Sequence, residues 1–138
     1  MDFQTAIADI NWLSVIVATL ASFAVGSLWY SGALFGKAWQ KDLGLSDEKI
    51  RSANMGAIFG SAFVLQFISV LILELFIGKD ASLSYGLTAG LLVGIGWVAT
   101  SFGTNYLYAR KTFRLFLIDA GYFVVFFSLA GLILGVWK

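Results

Sequence analysis

The chain has no cysteine and no histidine. That excludes disulfides, thiolate nucleophiles, imidazole bases and the usual zinc and haem ligands, and it leaves the redox compartment unmarked. Charge is also scarce: 12% of residues are charged and 59% are hydrophobic, whereas soluble domains carry about 25% charged residues. So few polar groups cannot cover a water-exposed surface, and the solvent for most of the chain is lipid. A net charge of +1 offers a polyanion little attraction, so no nucleic-acid partner is expected. A basic leader is missing too. Met1 to Ile10 carries Asp2 and Asp9 but neither Lys nor Arg, and cleavage as a signal peptide is not expected.

What the chain does have is long apolar runs. Among 138 residues, four helices of about 20 residues each would use most of the length. The reading is an all-α integral membrane protein: one transmembrane domain over residues 1–138, a bundle of four transmembrane helices with spans at 12–30, 53–77, 83–108 and 115–137. Trp12 anchors one interface of the first span. Trp29, Tyr30, Lys37 and Trp39 mark the other, with apolar bodies suited to the headgroup layer and, on all four, a polar or charged end. The mixed stretch Lys37 to Leu43 predicts a short interfacial helix after the first span, ended by Gly44. Ser46 offers a partial N-cap to a further helix leading into the second span.

Lysine and arginine are unevenly placed. Residues 31–52 hold four and residues 109–114 hold three, against one in the Gly78 loop and one at the end. By the positive-inside rule the two basic loops are cytoplasmic and both termini lie outside the cytoplasm, which agrees with an even number of spans.

Helical spacing sorts each span into faces. In the first, Asn11, Val15, Ala18, Ser22 and Trp29 share a face beside Gly26. In the second, Gly56 and Gly60 lie near Phe63, Phe67 and Glu74, and this face is expected to contact protein. The third carries Gly86, Gly90 and Gly94 in one stripe with Trp97, Ser101, Thr104 and Tyr108, with Asn105 at its edge, and is expected to be the central packing helix. The fourth places Gly121, Ser128, Gly131 and Gly135 on one face and Asp119, Tyr122, Phe123, Phe126 and Ala130 on the other. If each face needs cover, a homo-oligomer can supply one of them across subunits.

Asp119 is the costly residue, because a carboxylate within a span needs a partner. Asn105, a tyrosine, Arg51 or Arg114 could supply it and make Asp119 structural; alternatively, Asp119 lines a path for a cation or proton. Asn54-Met-Gly56 opens the second span as Asp119-Ala-Gly121 opens the fourth, a weak echo of the kind a parallel duplication leaves, and the candidate polar site is Asp119, Asn105, Asn54 and Tyr122. No catalytic, cofactor-binding or metal-binding residue is expected, and no cofactor. The protein does not read as an enzyme, since no motif sets Asp119, Glu74 or a serine beside a lysine base.

Asn11-Trp12, Gly26-x-x-Trp29-Tyr30, Leu34-Phe35-Gly36-Lys37-x-Trp39 and Leu117-Ile-Asp119-Ala-Gly-Tyr122 together resemble a bacterial membrane-protein family catalogued as a domain of unknown function, the DUF seventeen-sixty-one family. The resemblance implies a small four-span protein of the bacterial inner membrane, a multi-pass cell-membrane protein, with no activity attached. Small multidrug exporters are similar in size and span number, but they rely on a carboxylate in the first span, where this chain has none. The functional expectation is binding or passage of a small solute or ion through a homo-oligomeric bundle in contact with membrane lipid. The alternative is a structural or partner-binding membrane subunit without transport activity.

The topology has a direct test. Single cysteines at Ser46 and Ser82 are expected to react with an impermeant thiol reagent from opposite sides of the membrane. Labelling of both from one side would overturn the orientation.

Overall fold

A computed structural model describes residues 2–138, and its regular elements are all helical. In chain order they are α1 (Phe3–Ala8), α2 (Trp12–Trp29), α3 (Gly36–Leu43), α4 (Asp47–Arg51), α5 (Met55–Ile77), α6 (Leu83–Val93), a π-helical turn (Gly94–Ala99), α7 (Thr100–Ala109) and α8 (Phe113–Val136). Four helices are long and apolar enough to cross a membrane: α2, α5, α8 and the continuous rod Leu83–Ala109 made of α6, the π turn and α7. The interfacial helix is α3, ended at Gly44 in the left-handed region at φ 69°. The short α1, ahead of the first span, has no counterpart in the sequence reading.

Each span opens on a side chain that accepts a backbone hydrogen bond otherwise left unmade. Asn11 accepts from Ser14 N at 3.2 Å, Asn54 from Ala57 N at 3.1 Å, Ser82 from Tyr85 N at 3.3 Å and Thr112 from Leu115 N at 3.0 Å. These caps explain two shifted boundaries. The second span begins at Met55 because Asn54 is its cap, and the fourth begins at Phe113 because Thr112 is its cap.

The fourth span, not the third, is the centre. Half of the α8 window is buried, against 28% or less in the other three, and α2, α3, α5, α6 and α7 all pack on it. Both faces of α8 are therefore covered within one chain, so the two-face argument for a homo-oligomer does not hold. The glycines of the third span lie on that centre as expected. A Cβ on Gly86 would strike the Gly131 carbonyl oxygen, one on Gly90 the Phe127 carbonyl oxygen, and one on Gly94 would sit 2.9 Å from Val124 Cα. The two backbones touch with no side chain between them.

The second span departs from expectation. Its buried residues, Val70, Leu73, Glu74 and Ile77, all lie in its last two turns, while Asn54 to Ser61 is exposed. A Cβ on Gly60 would meet nothing within 4 Å, and one on Gly56 only the Asn54 side chain. The two glycines therefore meet no other helix of this chain, although the same side of the span contacts protein further along, where Phe63 packs edge-on against Phe23 of α2 at 6.0 Å and Glu74 is buried against Lys138.

The two ends of the bundle are fastened differently. At the end carrying the termini, Lys138 Nζ donates to Glu74 Oε2 at 2.8 Å, Lys79 lies 3.3 Å from Asp9, and Asn11 Nδ2 donates to the Trp137 carbonyl at 3.2 Å. At the other, basic end, Asp42 of α3 accepts from Arg114 Nε at 2.8 Å, from the other guanidinium arm at 2.6 Å and from Thr112 Oγ1 at 3.0 Å. The Arg114 hydrogen bonds hold the Asp42 carboxyl below the usual carboxylate range. The folded value is the depressed one, so this tether contributes fully above the unfolded value of 3.8. It is lost as pH falls through the lower folded value.

The packing predicts opposite outcomes at two glycines. Gly90→Leu drives a side chain into the backbone of α8 and should lower thermal stability in detergent by several kcal/mol, of the order of overpacking losses at about 1–3 kcal/mol or more. Gly60→Leu should be tolerated by the isolated chain. Equal melting of the two variants would show that the third and fourth spans are not in backbone contact.

Candidate functional site: a tyrosine-clamped carboxylate

Asp119 stands in the second turn of α8, six residues beyond its start and roughly 9 Å along the axis at about 1.5 Å per residue. Only 7% of it is exposed. Its two oxygens are held from opposite sides of the bundle. Tyr30, at the end of α2, donates its hydroxyl to Oδ1 at 2.7 Å, and Tyr106 of α7 donates to Oδ2. Trp29 donates its indole N–H to the neighbouring Ile118 carbonyl at 2.9 Å, which fixes the end of α2 against α8.

Aromatic rings close the surroundings. Trp39 of α3 meets Tyr30 edge-on at 5.6 Å, and Tyr122 meets Tyr30 at 5.5 Å. On the other side Phe102 packs against Tyr106 at 5.5 Å and against Phe123 at 5.4 Å. The interfacial helix thus reaches the carboxylate through one ring pair, Trp39 on Tyr30.

Magnitudes explain how the carboxylate is tolerated. A charged side chain at the bilayer centre costs about 2.5–3.5 kcal/mol on insertion scales, and less nearer the surface. A hydrogen bond to a charged group contributes about 1.5–3 kcal/mol. Two such bonds offset the cost, so the clamp stabilises a carboxylate without a cation. That makes Asp119 unlike Glu74, the other buried carboxylate, which is paired with Lys138, and unlike the half-buried Asp42, paired with Arg114, whereas no Lys or Arg among the described residues forms an ion pair with Asp119.

A second polar group lies beside it. The Tyr122 hydroxyl donates to the Ser22 carbonyl at 3.0 Å and accepts from Gln66 Nε2 at 3.2 Å, linking α2, α5 and α8. Ser22 Oγ and Gln66 Oε1 are buried there without a hydrogen-bond partner. Gly26 is the residue that admits the Tyr122 ring, since a Cβ there would sit 2.7 Å from the hydroxyl oxygen.

The four residues expected to form one polar site are therefore not together. Asp119 and Tyr122 share a helix and an aromatic surround, but Tyr122 makes its hydrogen bonds elsewhere. Asn105 is exposed on α7, and Asn54 is the exposed cap of α5. Of the partners open to Asp119, tyrosine is the one present, while Arg114 serves Asp42.

The missed partners, Tyr106 above all, trace to the π turn. Gly86, Gly90, Gly94, Val98, Phe102 and Tyr106 recur every four residues. In an unbroken α-helix each such step drifts about 40°, so Tyr106 would end far from the glycine face, and Trp97, Ser101, Thr104 and Tyr108 would replace it. A π turn takes in an extra residue and resets the face by one position, about 100°. Val98, Phe102 and Tyr106 then turn inward, while Trp97, Ser101, Thr104 and Tyr108 are exposed. The glycine pair Gly94 and Gly96 within the turn is the sign the sequence offers.

A family model described as "Protein of unknown function (DUF1761)" matches residues 13–135. The chain belongs to that family. The match takes in all four spans and every residue of the clamp. Comparison with curated proteins and with solved structures finds no match. The DUF1761 assignment and the four long apolar helices together describe a multi-pass membrane protein of a family without an assigned activity.

Removing one clamp hydroxyl leaves the charge half-held. Tyr106→Phe and Tyr30→Phe should each lower stability in detergent by about 1–3 kcal/mol, and Asp119→Asn in the Tyr106→Phe background should add little further loss. Additive losses in that double-variant cycle would show that Tyr106 and Asp119 do not act on each other.

Proposed function

We propose that this protein binds or passes a small cation or proton, with Asp119 as the binding group, in a homo-oligomeric assembly in the bacterial inner membrane. The observation that carries the reading is the carboxylate itself: buried inside a span, held by two tyrosine hydroxyls, and forming no ion pair with a basic side chain. No basic side chain among the described residues pairs with it, whereas Glu74 is already paired with Lys138, so Asp119 is the intramembrane carboxylate left for an incoming cation or proton. Tyr30 and Tyr106 come from two different helices, so movement of either uncovers one oxygen.

The homo-oligomer now draws its support from surfaces other than α8. The Gly56 and Gly60 face of α5 and the Asn105 side of α7 are exposed within the lengths that cross the membrane. Small residues favour close helix contact, and an amide in hydrocarbon favours a hydrogen-bonding neighbour. Both termini outside the cytoplasm follows from the seven basic residues gathered at the α3 end. We read the protein as a non-enzyme, because no motif sets Asp119, Glu74 or a serine beside a lysine base.

A second reading, a structural or partner-binding subunit, is favoured by the closure of the clamp. Two cavities, of about 330 and 250 Å³, are lined by α1 with the end of α5, and by α5, the third span and Phe127, and neither includes Asp119.

The deciding measurement is proton and potassium flux in liposomes holding wild type or Asp119→Asn, alongside the mass of each after mild extraction. The proposal expects flux in wild type that falls at least tenfold in the variant, with both assembling beyond one chain. Flux that ignores Asp119 overturns its role, absence of flux and of cation binding favours the subunit reading, and a monomeric wild type removes the oligomer.

A further inference from the structure

The surface formed by α3 and the turn joining α7 to α8 has a feature that the carboxylate site does not use. Lys37 and Lys41 are both exposed and stand one helical turn apart on α3. Like charges at that spacing destabilise a helix unless an anion lies against them. Arg110 and Lys111, in the turn before α8, are exposed as well, with Arg110 in the left-handed region at φ 57°. None of these four cations has an ion-pair partner among the described residues. The neighbouring carboxylate, Asp42, is occupied by Arg114 and Thr112.

We propose that this surface binds the headgroup of an anionic phospholipid. The Asp42 tether gives the site its shape. Lys41 adjoins Asp42 in the chain, Lys111 adjoins Thr112, and Thr112 donates to Asp42 at 3.0 Å, so the two cationic segments are fastened to each other. The level in the membrane selects the occupant. Tyr108 is 85% and Phe113 71% exposed, and Leu34 and Phe35 are exposed beside α3, so an apolar collar flanks the cations where spans end and begin. Acyl chains cover such a collar while a phosphate meets the lysines, whereas a soluble acidic protein would leave the collar bare. The charge balance agrees: this end carries seven Lys and Arg against Asp42, Asp47 and Glu48. The inference does not depend on what passes Asp119.

The test uses the whole protein in nonionic detergent, titrated with phosphatidylglycerol, with phosphatidylcholine of the same chains, or with inorganic phosphate. Thermal unfolding and lipid retention in native mass spectrometry are the readouts. Phosphatidylglycerol is expected to raise the midpoint and to be retained, phosphatidylcholine and phosphate are not, and added salt should erode the difference. Lys41→Gln with Lys111→Gln should weaken the phosphatidylglycerol effect on the order of tenfold or more, while Lys79→Gln at the opposite end should leave it intact. Should the double variant fail to fold, the wild-type comparison of the two lipids and its salt dependence still decide. Equal effects of the two lipids, an equal effect of phosphate alone, an undiminished effect in a folded double variant, or an equal loss in Lys79→Gln would each overturn the proposal.

Discussion

The bundle depends on one contact, the laying of the third span's backbone directly on that of the fourth. Gly86 and Gly90 meet Gly131 and Phe127 with main chain against main chain, and lipid tails offer no hydrophobic gain to substitute for such packing. Because α6 occupies the small-residue face of α8, the opposite face is free for α2, whose buried Ser14, Val15, Ala18, Thr19 and Ser22 form an equally slender surface. The second span attaches to what remains, buried only in its final turns and touching α2 and α8 before them through Phe63 and Gln66, and Glu74 with Lys138 closes that end. Its first turns, Asn54 to Ser61, stay exposed, although Phe59 meets Phe23, which is why an exposed glycine pair and a packed glycine stripe coexist in one molecule.

Much of this was legible in the residues. The spans follow from apolar runs of bilayer length, while their starts are set by Asn11, Asn54, Ser82 and Thr112, whose capping bonds move the second and fourth spans off the boundaries read from hydrophobicity. Glycines spaced by four in the third span marked a close approach that the structure contains. What could not be read was which helix that stripe meets and where its periodicity breaks. Helical spacing assumes a constant turn, and the π segment violates it once, enough to exchange Asn105 and Tyr108 for Phe102 and Tyr106 on the inner side. The GxxxG of the second span misled for a different reason: small residues show that a backbone can be approached, not that another helix of the same chain approaches it.

The carboxylates show two solutions to the same cost. Glu74 is neutralised by a lysine, and a pair of that kind is held fast because breaking it strands a charge. Asp119 is held by neutral donors, and no basic side chain among the described residues pairs with it. That difference was not legible either, since Tyr30 reads as an interface anchor and is one, while also serving as a ligand to a residue 89 positions away.

The depth of Asp119 carries an electrical consequence. At roughly 9 Å along a helix that crosses about 30 Å of hydrocarbon, it lies nearly a third of the way through the membrane field. Moving one elementary charge through the full potential is worth about 2.3 kcal/mol per 100 mV, so a charge gained or lost at Asp119 from the basic end senses about 0.7 kcal/mol per 100 mV. That is close to thermal energy and changes occupancy about threefold. Depth alone would thus make any step that binds or releases a charge at this carboxylate weakly dependent on voltage.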